Sequence, residues 1–200
     1  MEYLDMKYIT NQSSLGTALA NLHLHNRRRE GSVDYIDKFG FHTQTCCGFL
    51  PQSNGWQDNW VDYYTVKLQE QIERLQDKEL YELWPQFKGK IGDYFTDIPE
   101  IKPSLVHGDL WSGNAAQCSN EPIVFDAACF YGHDEYELGI AKMFGGFDNY
   151  FYTAYHALIP KQPGFDKRNK LYQLFHQLNH WNLFGSGYRS SSLRIIKDLM

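Results

Sequence analysis

Two hundred residues, 42% hydrophobic and 22% charged, suffice for one domain or one large lobe with a sizeable core. A net charge of −5, with Arg27-Arg28-Arg29 as the longest basic cluster, argues against a nucleic-acid groove, and no run of about 18 apolar residues exists to span a membrane. The four cysteines, Cys46, Cys47, Cys118 and Cys129, show no CxxC spacing, and the first residues carry Glu2, Asp5 and Lys7 where a signal peptide would be apolar, so reduced thiols and a cytoplasmic location are expected.

Leu15, Ala18, Leu19 and Leu22 recur at helical spacing behind the possible caps Ser13 and Ser14 and predict a first helix. Residues 31–55 read as a long irregular segment punctuated by Gly, Asn, Pro and Ser. Val61, Tyr64, Leu68, Ile72 and Leu75 predict a second helix. Leu80, Leu83, Trp84, Phe87 and Ile91 predict a third, which Pro85 is expected to kink or restart. Between Pro103 and Ala128 two β-like runs, "SLVHG" and "PIVFD", bracket a polar loop and read as a hairpin-like element. Helical spacing resumes with Tyr136, Ile140, Met143 and Phe144, up to Gly145-Gly146. A long final helix is expected to carry Leu171, Leu174, Phe175, Leu178 and Trp181 before Gly185. The aromatic run "DNYFYTAYH" reads as packing. The expected unit is mainly α, five or six helices around one small β element, without repeats or linkers.

The residues that can do chemistry gather on that element. Phosphoryl transfer from ATP needs positioning, metal ions across the phosphates and a carboxylate beside the attacking hydroxyl. Mg2+ takes hard oxygen ligands, so a carboxylate and an amide oxygen serve it. A His-x-Asp-x-x-x-x-Asn loop supplies a base and a ligand five residues apart, and His107, Asp109 and Asn114 fit it. Asp126, at the end of the next apolar run, supplies the second ligand. Asp109 is the expected base, Asn114 and Asp126 the expected Mg2+ ligands, and His107 a loop brace. Gly108 stands where protein kinases carry Arg, which points to kinases of small molecules.

Elsewhere the bland readings prevail. His23 and His25, two apart on a helix, face different sides and make a poor metal pair. His176 and His180 share a helix face, but Gln177 stands where a zinc hydrolase needs Glu, so a structural role is expected. Cys46-Cys47 reads as a core feature.

Five blocks, "MEYLDM", "DKFGFHTQTCCGFLPQ", "LVHGDLWSGN", "FYGHDEYELGIAKMFGGF" and "LNHWNLFGSGYRSSSL", together resemble the fructosamine kinase family (ketosamine-3-kinases) from residue 1 to about 195. The resemblance implies the C-terminal lobe of a protein-kinase-like (α+β) fold similar to aminoglycoside phosphotransferases. It implies ATP-dependent phosphorylation of the sugar 3-hydroxyl of ketosamines on glycated protein lysines, with ATP and Mg2+ as cofactors and no nucleic-acid or membrane partner. The phosphate ester destabilises the adduct and regenerates the amine. By the same resemblance "MEYLDM" is the hinge, with backbone groups of Glu2, Tyr3 and Leu4 at the adenine edge. Trp111 and Trp181 are sugar-pocket walls, and Glu137 is a loop-bracing acid. Ala127 departs from the Pro the resemblance implies after Asp126.

If Met1 begins the hinge, the whole chain is the C-lobe and the N-lobe, with its glycine-rich loop, phosphate-pairing Lys and orienting Glu, is absent. No GxGxxG and no GxxxxGK[ST] occurs in the sequence. The expectation is a ketosamine kinase impaired as this chain. The alternatives are an inactive C-lobe acting as a binding or regulatory fragment, and a kinase of another small hydroxyl compound such as an aminoglycoside or choline.

Overall fold

The computed structural model describes residues 3–200. Seven α-helices carry the described chain: α1 (Gln12–Arg27), α2 (Trp60–Leu75), α3 (Lys78–Lys90), α4 (Asp134–Phe144), α5 (Asn149–Leu158), α6 (Phe165–Phe184) and α7 (Arg189–Leu199). Six short strands form three separate antiparallel ladders. β1 (Thr45–Cys47) pairs with β2 (Leu50–Gln52), β3 (Ser104–Val106) with β6 (Phe130–Gly132), and β4 (Ala115–Cys118) with β5 (Glu121–Val124).

Local chemistry sets most helix ends. The side chains of Asn11, Asn59, Asp77 and Asp148 accept the orphan N–H groups at the starts of α1, α2, α3 and α5. Asn11 thus caps α1 in place of the serines expected from the sequence. Gly145 and Gly185 end α4 and α6 with positive φ.

The structure corrects the sequence reading at several points. The aromatic run packs as expected, but as a helix, α5, with Phe151 and Tyr155 one turn apart and both buried. A further amphipathic helix, α7, follows the helix expected to be last, burying Leu193, Ile196 and Leu199. Helix α3 runs unbroken through the exposed Pro85. The segment 31–55 contains the β1–β2 hairpin. "SLV" and "PIV" do not pair with each other: β3 takes β6 and β5 takes β4.

Two apolar clusters result. The larger is built from α2, α3, α6, α7 and the β3–β6 ladder around Trp60, whose ring stacks on Tyr64 and Phe130 and meets Tyr136 and Tyr172 edge-on. Its indole N–H donates to the Tyr172 hydroxyl at 3.0 Å. The smaller joins α1, α4 and α5 through Leu15, Leu19, Leu138, Phe151 and Tyr155. Here Gly16 permits a backbone approach that a Cβ would block, since that atom would lie 2.3 Å from the Phe151 carbonyl oxygen. Between the clusters the Arg168 guanidinium, fully buried, grips Glu135 in two hydrogen bonds of 2.7 and 2.9 Å and ties α6 to α4.

The loop after β3 bridges the two clusters: Val106 belongs to the larger and Leu110 to the smaller. The residues between them, 107–109, are therefore held at both ends by fully buried anchors.

Trp60→Ala is expected to lower unfolding free energy by about 3–5 kcal/mol, since it removes the ring around which the larger cluster is arranged. Chemical denaturation checks this, and a loss below about 1 kcal/mol would contradict that placement.

Candidate active site

Asp109 leaves β3 on a loop that cannot take another backbone path. Gly108 has φ +84°, and a Cβ there would sit 2.4 Å from the Ala128 carbonyl oxygen. An Arg at this position, as in protein kinases, is excluded by geometry. Opposite, the wholly buried Glu137 of α4 receives the backbone N–H of His107 on one carboxylate oxygen and that of Gly108, at 3.0 Å, on the other. His107 braces the next step. Its Nδ1 accepts the Asp109 N–H at 3.3 Å, which puts the ring proton on Nε2, and that atom donates to the Phe125 carbonyl at 2.9 Å. His107 and Glu137, expected to brace the loop, both contact it directly.

Asn114 closes the loop. Its side-chain amide N–H groups donate to the Asp109 carbonyl at 3.0 Å and to Asp109 Oδ2 at 3.3 Å, and its own Oδ1 has no donor among the described residues. Asp126 follows β5 with a φ of +59°, which Asp tolerates better than most residues. The Phe125 N–H donates to the Asn114 carbonyl at 3.1 Å, and the Ala128 N–H to that of His107 at 2.9 Å. Because the turn closes through these backbone bonds, Ala127 leaves it intact.

Asp109, Asn114 and Asp126 thereby line one open cavity of about 370 Å³. Trp111, Phe144, His180, Phe184 and Tyr188 form its aromatic side. Trp111 stands over Gly113, is 38% exposed, and meets Phe144 with ring centres 5.8 Å apart. Trp181 is not on this wall. It is 8% exposed, packed in the larger cluster with the Arg189 guanidinium 5.9 Å from its ring centre. The helical turn directs His180 and Phe184 to the cavity instead. Tyr3 and Leu4 are exposed and lie outside the cavity lining; Lys7, beyond them, is tied to Gln117 by two 2.9 Å backbone bonds. Glu2 lies outside the described residues.

The electrostatics suit a proton acceptor. Burial, then the negative charges of Glu137 and Asp126, push the Asp109 carboxyl up to about 7, against the pull of the Asn114 hydrogen bond. Glu137 moves the other way. Burial alone would raise it, but His23, His107 and the loop amide hold it below the usual carboxylate range. His23 was legible only as half of an unpromising HxH pair. It is fully buried with Nε2 3.6 Å from Glu137 Oε2, longer than a hydrogen bond, and Nδ1 2.8 Å from the Tyr155 hydroxyl. His25 is exposed on the other side of α1. The donor set left for a cation, the Asn114 amide oxygen and the Asp126 carboxylate, consists of hard oxygens and fits Mg2+.

The fold is that of the protein-kinase-like phosphotransferases. It superposes on a choline kinase from Streptococcus pneumoniae with TM-score 0.61 at 9% identity, over 99% of this chain and 68% of that one. A bacterial structure assigned to the fructosamine-3-kinases, from Thermobifida fusca, matches at TM-score 0.84 and 26% identity, over 100% of this chain and 68% of that one. Residues 1–200 match the fructosamine kinase family throughout. The sequence is 53% identical over 221 residues to the ketosamine-3-kinase of Mus musculus, covering 100% of this chain and 71% of that protein. It is 40% identical over 207 residues to the chloroplastic protein-ribulosamine 3-kinase of Arabidopsis thaliana, covering 100% and 61%. The chain belongs to the fructosamine kinase family, and it spans about two thirds of the length of these relatives.

A raised Asp109 pKa means that the fold disfavours its ionised form. Below the ordinary value of 3.8 both folded and unfolded chains carry the proton and no penalty exists; the penalty grows as pH rises toward about 7 and is complete above it. Asp109→Asn is therefore expected to stabilise the metal-free protein by more than about 1 kcal/mol at slightly alkaline pH, with the gain fading toward pH ~4. Denaturant titrations across pH check this, and a destabilised variant at alkaline pH would contradict it.

Proposed function

We propose that this chain carries the substrate- and metal-binding half of an ATP-dependent ketosamine 3-kinase acting on glycated protein lysines. The observation that carries the reading is the meeting of Asp109, Asn114 and Asp126 on a single cavity with an aromatic wall. Membership of a family whose relatives are named ketosamine-3-kinase and protein-ribulosamine 3-kinase supports the substrate class.

Each residue then has a task. Asp109, poised near neutrality, orients the sugar 3-hydroxyl and takes its proton as that oxygen bonds to the γ-phosphorus and the bond to the departing ADP breaks. Asn114 through Oδ1 and Asp126 through its carboxylate would hold Mg2+, which when bound would supply positive charge for the phosphates. Trp111 and the neighbouring rings offer flat faces to the C–H side of the sugar. The cavity is open, so an adduct still attached to a protein lysine can enter.

We further propose that residues 1–200 constitute the C-lobe, with residues 1–6 as the hinge and Glu2, Tyr3 and Leu4 at the adenine. The phosphate-binding loop and Lys are then supplied by an N-lobe outside these residues. Charge-assisted hydrogen bonds contribute about 1.5–3 kcal/mol each, so the 200 residues alone would bind ATP weakly.

Phosphorylation of a glycated peptide with Mg-ATP tests the reading, using the chain alone and the chain preceded by a family N-lobe. Turnover restored by the N-lobe and lowered about 10²–10⁴-fold in kcat by Asp109→Asn is expected. Equal turnover by the chain alone would overturn the N-lobe requirement. Absence of turnover in both would favour a binding or regulatory fragment, and turnover only with another small alcohol would reassign the substrate.

A further inference from the structure

Behind Asp109 lies a cluster that phosphoryl transfer does not use. Cys47 at the end of β1 and His176 in α6 bring Sγ and a ring nitrogen to within 4.8 Å of each other and of an Asp109 carboxylate oxygen. Cys47 is 2% exposed and His176 is fully buried. Among the described residues neither nitrogen of His176 has a hydrogen-bond partner, an unusual state for a fully buried imidazole. His180, the helix neighbour that suggested a pair of histidines, directs its Nδ1 to the His176 carbonyl at 2.7 Å and takes no part. Cys47 and Asp109 also line the open cavity, which gives the cluster a side toward solvent, while His176 lies behind it.

We propose that Cys47, His176 and Asp109 form a three-ligand site for a borderline-soft divalent cation of the zinc class, separate from the Mg2+ position at Asn114 and Asp126. The inhibitory consequence rests on the reading of Asp109 as the base; the binding itself does not. A sulfur, an imidazole nitrogen and one carboxylate oxygen are the donor types that zinc takes, whereas Mg2+ avoids thiolates. Tetrahedral coordination sets such atoms roughly 3.3–3.6 Å apart, so side-chain shifts on the order of 1 Å close the site, with the fourth position facing the cavity. On binding, the Cys47 S–H bond breaks, its electron pair goes to the metal and its proton to solvent. The thiolate, the Asp109 carboxylate and the neutral imidazole then balance the two positive charges of the ion, which removes much of the penalty for burying it. Burial already holds His176 far below its usual range, so no proton competes for that ring. The same burial raises the Cys47 thiol, and the metal must overcome this; the Asn179 side-chain N–H at 3.3 Å from Sγ and nearby Lys67 both favour the thiolate.

An ion seated there engages Asp109 and inhibits phosphoryl transfer until it is chelated. A soft cation would act as an inhibitor at concentrations where Mg2+ activates.

Titration of the chain with Co2+, followed by the near-ultraviolet thiolate-to-cobalt charge-transfer band, tests the site directly. One equivalent of Co2+ giving that band, displaced by Zn2+ and not by Mg2+, is expected. Cys47→Ser should abolish the band, His176→Gln should weaken binding at least tenfold, and Cys46→Ser, changing the exposed neighbour, should leave it unaltered. No band in the unmodified chain, or a band that survives Cys47→Ser, overturns the proposal. Because the unmodified chain gives the first answer, a variant that fails to fold does not remove the test. A chain that never phosphorylates a glycated peptide can still give the band, so failure of the kinase reading is seen separately.

Discussion

A single buried carboxylate fixes the geometry on which everything at the site depends. Glu137 has no exposure and, among the described residues, no Lys or Arg partner; its charge is met by the N–H groups of His107 and Gly108, with His23 Nε2 3.6 Å away. A buried carboxylate left without such donors is costly, so the loop and the helix stabilise each other. The loop cannot leave without stranding the charge. Val106 and Leu110, buried in different clusters, hold the same segment from its two ends.

Helix α4 concentrates this strategy in one turn. Asp134, Glu135 and Glu137 are all buried at its N-terminal end, where the helix dipole favours negative charge. Each finds a different partner: Arg27 and His133 for Asp134, Arg168 for Glu135, and the loop for Glu137. Three acids thereby join α1, α6 and the loop of residues 107–109 to one helix. Asp109 is the exception: among the described residues it makes no ion pair, and Glu137 and Asp126 repel it. A group held near neutrality suits proton acceptance, and the fold sacrifices stability to keep it there.

Much of this is legible in the sequence. The three helices with long apolar stripes and the two ending at glycines were visible because spacing reports burial on a periodic element. Helix α7 was not, because its buried residues follow a short run of serines that reads as loop. The pairing of the ladders is not legible, because β3 and β5 are only three and four residues long and such runs carry no signal of register. At the site, Asp109, Asn114, Asp126, His107 and Glu137 could be named from spacing and family resemblance, since their roles depend on the loop they occupy. His23, Cys47 and His176 could not, because no motif or spacing in the sequence ties them to the loop, and only the folded chain brings them within reach of Asp109 or Glu137. Trp181 illustrates the converse. One position along α6 separates a core residue from a cavity wall, and sequence cannot resolve the difference.

The central claim is that Glu137 holds the Asp109 loop through two backbone donors. Amide hydrogen exchange at His107 and Gly108 in the wild-type chain and in Glu137→Gln measures this most directly, read against amides of α2 that share only the global unfolding route. The predicted result is a selective acceleration of at least about tenfold at those two amides, as expected for a weakened charge-assisted bond. Exchange at His107 and Gly108 that is already fast in the wild type, or that rises no more than in α2, would contradict it.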